Sequence, residues 1–259
     1  MAEVEVRECG TAAELIDQLN PSRDDWWDES NEQTHCFRGH RDADWPLLAK
    51  AFRPLSISGL GPFYQKVKEK AADPGFVEWR EGAISLAFQN FQRAAREIGV
   101  DVQPQDKHLA QHHGIPTDLL DWSFSPHIAA YFSLDESSAS TATHLCVWAM
   151  RRASAVIDNF IVSVRDYPVE RNPYMRAQRG SFSVVNFISS YNSDNEDEPV
   201  PSLQSLHAMA AKPFLTQFTL PWAEAGELRR LLRRHGVSAA ALQPSLDRVA
   251  ADVLAVGPR

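Results

Sequence analysis

The 259-residue chain holds only three cysteines, Cys9, Cys36 and Cys146, and no two are close in sequence. That spacing supports neither a disulfide framework nor a Cys-rich zinc knuckle, and leaves each thiol as a small buried hydrophobe. Positive charge is also scarce. With 26 Lys and Arg against 34 Asp and Glu, the net charge is −8. This argues against a broad hold on a nucleic-acid backbone and leaves room only for a local basic cleft. No apolar run approaches the ~20 residues needed to cross a bilayer, and Met1 to Val6 lack the basic-then-apolar build of a secretory signal. The expectation is a soluble, cytoplasmic protein with no membrane partner. Internal repeats, low-complexity tracts, a Gly-x-Ser-x-Gly elbow and a His-Glu-x-x-His pair are all missing.

What is there suits one globular domain over residues 1–259, with 44% hydrophobic residues and a sizeable core. Val4 and Val6 alternate as a short edge strand does. Thr11 to Leu19 reads as a helix opened by a capping box of Thr11 and Glu14. His35 to Gly39 has strand character, so Arg38 stands near a strand end. Helical spacing runs from Phe63 to Ile98 with a break near Pro74, and places Phe76, Trp79, Ala83, Leu86, Ala87, Asn90 and Phe91 on a core stripe. The segment 106–113 makes one or two helical turns, closed by Gly114.

Pro116 then forces an extended entry into a short strand over 117–122. Ser125 before Pro126 predicts a buried helix over 126–132. His144 to Met150 is apolar enough for a strand buried on both faces, and Val156 to Val164 holds further strand-like material. Asn172 to Val184 reads as a turn that passes into an alternating strand. Pro213 to Pro221 is a strand, Ala223 to His235 an amphipathic helix stopped by Gly236, and Leu242 to Val256 a last short helix. The charged stretch Asn192 to Pro199 reads as a solvated loop. The fold class is α+β, a mixed or antiparallel split sheet flanked by helices.

Arg38 is the first candidate for chemistry. Its permanently charged fork suits a phosphate or carboxylate, and Gly39 would let a ligand reach the backbone. The competing reading is a structural arginine paired with Asp42, Asp44 or Asp121. His108, His112 and His113, with His35 and His40, raise a metal site, but the ligand pattern of zinc is lacking and hydrogen bonding is the commoner use. Ser123 and Ser125, between a strand and a helix, could hold an anion or simply cap a turn. A serine hydrolase is weaker without the nucleophile elbow. Asp118 or Asp121 could act as a general base, whereas Gln178 can orient a ligand but cannot take a proton.

Three passages together resemble one family. They are Phe37-Arg38-Gly39 with Trp45-Pro46-Leu47; Gln111-His112-His113-Gly114-Ile115-Pro116-Thr117 with Leu119-Leu120-Asp121-Trp122-Ser123 and Pro126; and Asn172-Pro173 with Arg176, Gln178, Gly180 and Phe182. The chain is similar to the FRG domain family over a motif-bearing core of about 34–187, with 188–259 as a closing loop, strand and helices. That family itself resembles the ADP-ribosyltransferase superfamily, which implies the corresponding fold and NAD as substrate.

On that resemblance Arg38, Gln178 and Asp121 would be catalytic, with Glu170 as another carboxylate. Phe37, Gly39, His112, His113, Thr117, Trp122, Ser123, Ser125 and Arg176 would bind substrate. The reaction implied is cleavage of the nicotinamide–ribose bond, with transfer to a protein or nucleic-acid acceptor or to water and without a metal, in a toxin or phage-defence effector. Gln178 stands where a Glu is expected. The alternative is therefore a noncatalytic module that binds a nucleotide or a protein.

Overall fold

The computed structural model describes residues 2–53, 76–134, 141–152, 162–165, 173–185 and 201–243. The expected loops at 56–62 and 192–199, the residue Glu170, the start of the helix predicted from Phe63, the strand-like 156–161 and all but the start of the helix predicted from Leu242 lie outside the described residues.

Seven strands form a mixed sheet, β1 (Glu5–Glu8), β2 (His35–His40), β3 (Leu119–Ser123), β4 (His144–Arg151), β5 (Val162–Arg165), β6 (Gly180–Val185) and β7 (Leu215–Pro221). Their order is β1-β7-β4-β2-β3-β6-β5. β1 and β7 run parallel, with Val6 opposite Gln217. The central pairings are antiparallel: Trp148 of β4 faces Gln217 on one side and Arg38 of β2 on the other, and Phe37 of β2 meets Ser123 of β3. The continuous apolar run of β4 explains its central place, since the six residues between its ends are all buried.

The described helices are α1 (Ala12–Gln18), α2 (Phe76–Glu97), α3 (Lys107–His112), α4 (Pro126–Phe132), α5 (Pro173–Gln178), α6 (Leu203–Met209), α7 (Ala225–Arg234) and α8 (Ala239–Leu242). Local chemistry sets several of their ends. Thr11 accepts from the Glu14 amide while Glu14 reaches back to the Thr11 amide, so α1 opens on the expected capping box. Ser125 caps α4 ahead of Pro126 by accepting from the Ile128 amide. Gly114 and Gly236, at φ of 92° and 77°, follow α3 and α7 in the left-handed region that glycine reaches without strain.

Contacts divide the chain into two compact units, one of 1–46, 121–183 and 204–259 and the other of 47–120 and 184–203. In the first, one sheet face presents Phe37, Leu145, Val147, Phe218 and Leu220, and α1, α4 and α7 add Leu15, Ile128, Ala129, Leu228 and Leu232 to the same apolar cluster. In the second, Phe88 and Ala95 of α2 pack with Val102 and Ala110, flanked by Phe91, Leu109 and Ile115, while Ile84 joins Leu48, Ala49, Ala51 and Phe52. Among the described side chains of α2 the buried stripe is Ile84, Phe88, Gln92 and Ala95, whereas Leu86, expected on it, is 52% exposed. The side chains of Phe76, Trp79 and Ala83 lie outside the described residues. Several apolar stripes at three- and four-residue spacing compete on this helix, and the neighbouring elements select among them.

All three cysteines are buried thiols outside any disulfide. Burial above all pushes the Cys9 thiol up to about 11 and Cys146 to about 12, so both stay protonated and behave as hydrophobes. No helix among the described residues is long and apolar enough to cross a membrane.

Two glycines offer a stability test. Gly82 in α2 and Gly226 in α7 are exposed and have nothing within 4 Å of a built Cβ. Alanine at either position should raise stability by about 0.5–1 kcal/mol through the lower backbone entropy of the unfolded chain. Urea midpoints check this, and an unchanged or lower midpoint refutes it.

Candidate functional site

Alternation along β2 sorts the first motif. Phe37 and Gly39 share one face, and Cys36, Arg38 and His40 share the other. Phe37 has no exposed surface and meets Trp26 edge-on at 4.9 Å. The structure thus makes it a core residue and not a ligand contact. Gly39 does not admit a ligand either. A Cβ there would lie 2.0 Å from the Ala129 carbonyl oxygen and 2.5 Å from the Ser133 nitrogen, both backbone atoms of α4 and its C-terminal cap. The close approach that glycine permits is that of a helix.

Arg38 is 15% exposed at its side chain. Its Nε donates to His40 Nε2 at 2.9 Å, and its Nη1 donates to the Asp121 carbonyl at 2.7 Å. The Asp121 carboxylate, 58% exposed, lies 3.6 Å from the same Nη1. Burial pushes the guanidinium below its ordinary pKa while the Asp121 charge opposes this; an arginine remains a cation even so. Because His40 accepts through Nε2, its proton resides on Nδ1. No described residue accepts a hydrogen bond from Arg38 Nη2. Arg38 therefore keeps a charged donor edge for a further anionic group.

The strand end after Asp121 is tied internally. Trp122, 3% exposed, donates to Ser183 Oγ at 2.8 Å. Ser123 Oγ donates to the Gln178 carbonyl at 2.7 Å and accepts from the Ser125 amide at 3.0 Å. The Phe124 amide donates to the Arg179 carbonyl at 2.9 Å. The hydroxyls of Ser123 and Ser125 thus serve the turn and the helix cap, which favours the capping reading over an anion site. Gln178 ends α5 instead of lying on a strand, and Arg179 at φ 48° turns the chain into β6. Pro173 in the first helical position explains the change, because its fixed φ suits a helix start as well as a turn. Arg176 is exposed on α5.

In the other unit, His112 and His113 are exposed at the end of α3, and the His113 ring stacks on Phe91 at 6.3 Å between centroids. His108 is buried. Thr117 has no exposed surface. Its hydroxyl donates to Gln111 Oε1 and accepts from the Leu119 amide at 3.3 Å, so it organises the turn and is not a substrate contact. Among the described residues no group of three or more His, Cys, Asp or Glu is arranged to hold a metal ion. The structure thus joins Arg38, Asp121, Trp122, Ser123, Ser125 and Gln178 in one unit and places His112, His113 and Thr117 in the other.

Against known proteins, the model of the FRG domain matches residues 33–142. That stretch, 110 of the 259 residues, is similar to an FRG domain. Curated proteins and solved structures returned no match. Within the matched span fall Arg38, Asp121, both serines and the histidine pair, whereas Arg176 and Gln178 lie beyond it. His40 also lies in the matched span, and the sequence by itself offers it only as a metal candidate. Two-residue spacing from Arg38 on a strand was the signal for its real partnership.

Proposed function

We propose that this chain binds NAD or a related nucleotide through Arg38 and cleaves the nicotinamide–ribose bond in the manner of an ADP-ribosyltransferase. The observation that carries the reading is the meeting of Arg38 and Asp121 on adjacent strands, a cation with an open donor edge beside an exposed carboxylate. The guanidinium would hold a phosphate. The Asp121 carboxylate would stabilise the positive charge that develops on the ribose as nicotinamide departs with the bonding pair, until a protein, nucleic-acid or water nucleophile attacks. Gln178, at the end of α5, can orient the ligand but cannot accept a proton. A cytoplasmic toxin or phage-defence setting belongs to the same proposal and derives from the family resemblance.

A noncatalytic nucleotide- or protein-binding module is the second reading. The commitment of Ser123 and Ser125 to local hydrogen bonds favours it, because the strand end then has fewer groups free to act on a substrate.

The test is incubation of the purified protein with NAD, following nicotinamide release and label transfer to protein or nucleic acid. Arg38→Ala should lose binding, and Arg38→Lys, which keeps the charge without the fork, should weaken it about 10-fold or more. Asp121→Asn should retain NAD binding and lose release by roughly 100-fold or more. Gln178→Ala should alter binding more than the pH profile. Binding without release supports the module reading. No binding at all removes the ADP-ribosyltransferase link.

A further inference from the structure

The loop that follows β2 is held unusually firmly for a surface connection. The Ala43 amide donates to the His144 carbonyl at 3.0 Å, and the Asp44 amide to Asp42 Oδ1 at 3.0 Å. Side chains from separate elements clamp its carbonyls. Trp222 Nε1 donates to Arg41 O at 2.7 Å, Gln217 Nε2 to Ala43 O at 2.7 Å and Gln204 Nε2 to Trp45 O at 3.4 Å. At the end of this pinned segment Trp45 keeps 39% of its surface in solvent. The Arg41 guanidinium, on a residue only 5% exposed, sits 5.3 Å from the centroid of the Trp45 ring, and the His40 ring lies 6.2 Å away at 65°.

A tryptophan on a loose loop can fold back onto apolar surface. Here the hydrogen bonds hold the backbone, and Arg41 fixes the indole from one side, so the open part of the ring stays presented to solvent. The cation–π contact alone is worth about 0.5–1 kcal/mol at an exposed site, which is small beside the ordering of five residues. Pre-organised aromatic surface of this kind lowers the cost of binding a flat ligand. Trp45 is also linked to the Arg38 site, because His40 accepts from Arg38 Nε at 2.9 Å and faces the Trp45 ring.

We propose that Trp45 is a stacking platform for the heteroaromatic ring of a nucleotide whose phosphate Arg38 holds. The inference rests on the nucleotide reading above and adds the orientation of the ligand. Asp42 and Asp44 both precede Trp45 in the loop and would repel a phosphate there. The uncharged ring therefore takes the Trp45 end and the anion takes the Arg38 end.

Calorimetric titration of the whole chain with NAD, AMP and ribose 5-phosphate, using the wild type, Trp45→Ala, Trp45→Phe and Arg38→Lys, tests this. Trp45→Ala should weaken NAD and AMP about 10- to 100-fold, as expected for the loss of one base–aromatic stack. Trp45→Phe should restore most of that affinity. Ribose 5-phosphate, which has no ring to stack, should bind Trp45→Ala and wild type alike and lose affinity only in Arg38→Lys. NAD binding to Trp45→Ala within about 2-fold of wild type overturns the stacking role. Equal losses for ribose 5-phosphate and NAD also overturn it, because Trp45 would then act only by positioning Arg38. If wild type binds AMP in a Trp45-dependent way but not NAD, the proposed reaction falls and the platform stands; if it binds no ring-bearing phosphate, both fall.

Discussion

Gly39→Ala should destabilise the protein by at least about 3 kcal/mol, the upper range for forcing atoms into a packed interior. The added Cβ would stand 2.0 Å from the Ala129 carbonyl oxygen and 2.5 Å from the Ser133 nitrogen. These are backbone atoms, so no rotamer change relieves the clash; α4 must move off β2. That shift would disturb Ile128 and Ala129, which share an apolar cluster with Phe37, Leu145 and Phe218. It would also tilt the strand that carries Arg38, so ligand binding should weaken beyond what lost stability explains. Gly180→Ala is the control, because its nearest neighbour would be Met175 O at an ordinary 3.6 Å. A Gly39→Ala midpoint in urea within about 1 kcal/mol of wild type would show that α4 yields easily and sink the argument.

Acid should unfold the protein chiefly between pH 6.5 and 4, through histidines kept neutral in the fold. Burial first, and then the neighbouring His235, pushes His127 down to about 4 against a backbone hydrogen bond to Ile16 that raises it. Its ring lies 4.7 Å from that of His235, and its Nε2 has no hydrogen-bond partner among the described residues. His35, beside Arg151 across the sheet, is also pushed to about 4, by burial and then by the Arg151 charge, with Asp25 opposing.

The sign follows from proton binding. Both imidazoles take up protons near 6.5 when the chain is unfolded and near 4 when it is folded, so the unfolded state binds more protons between these values. Their contribution is complete above pH 6.5 and is lost as pH falls through 4. For His127, 7% exposed, a folded value near 4 corresponds to at most about 3 kcal/mol. His35 is more exposed and contributes less. His127→Phe should flatten the decline in stability between pH 7 and 5, read as urea midpoints at each pH. An unchanged pH slope would mean that other groups carry the acid limb. Burial also lowers His108 and His207, so both act in the same direction.

Arg38 and Gly39 show how far the Phe-Arg-Gly motif could be read in advance. The strand was legible from composition, and a strand period of two places Arg38 and His40 on one face and Phe37 and Gly39 on the other. The neighbours of those faces were not legible. Gly39 suggested access for a ligand because glycine marks a close approach, yet what approaches is Ala129, 90 positions along the chain. The sequence places Ser123 and Ser125 between a strand and a helix; Ser125 is there as the helix cap, whereas Ser123 ends β3 itself, and whether their hydroxyls are free depends on the Gln178 carbonyl and on the tightness of the turn. Asn172-Pro173 suits a turn and a helix start equally, so the local pattern does not distinguish α5 from a turn. α6 was not anticipated, since its seven residues add too little periodicity to register.

Features that depend on atoms within about four residues were settled by the sequence alone. They include the capping box at Thr11 and Glu14, the Ser125-Pro126 helix start and the left-handed closure at Gly114. The resemblance of its motifs to the FRG domain was equally visible in the chain. Strand order, the parallel pairing of β1 with β7, the contact of Gly39 with α4 and the encounter of Arg38 with Asp121 were decided only by the tertiary structure. Those features join residues tens to hundreds of positions apart. Which of the many admissible long-range pairings wins depends on burying all the apolar faces at once while satisfying the backbone, and no local window contains that information.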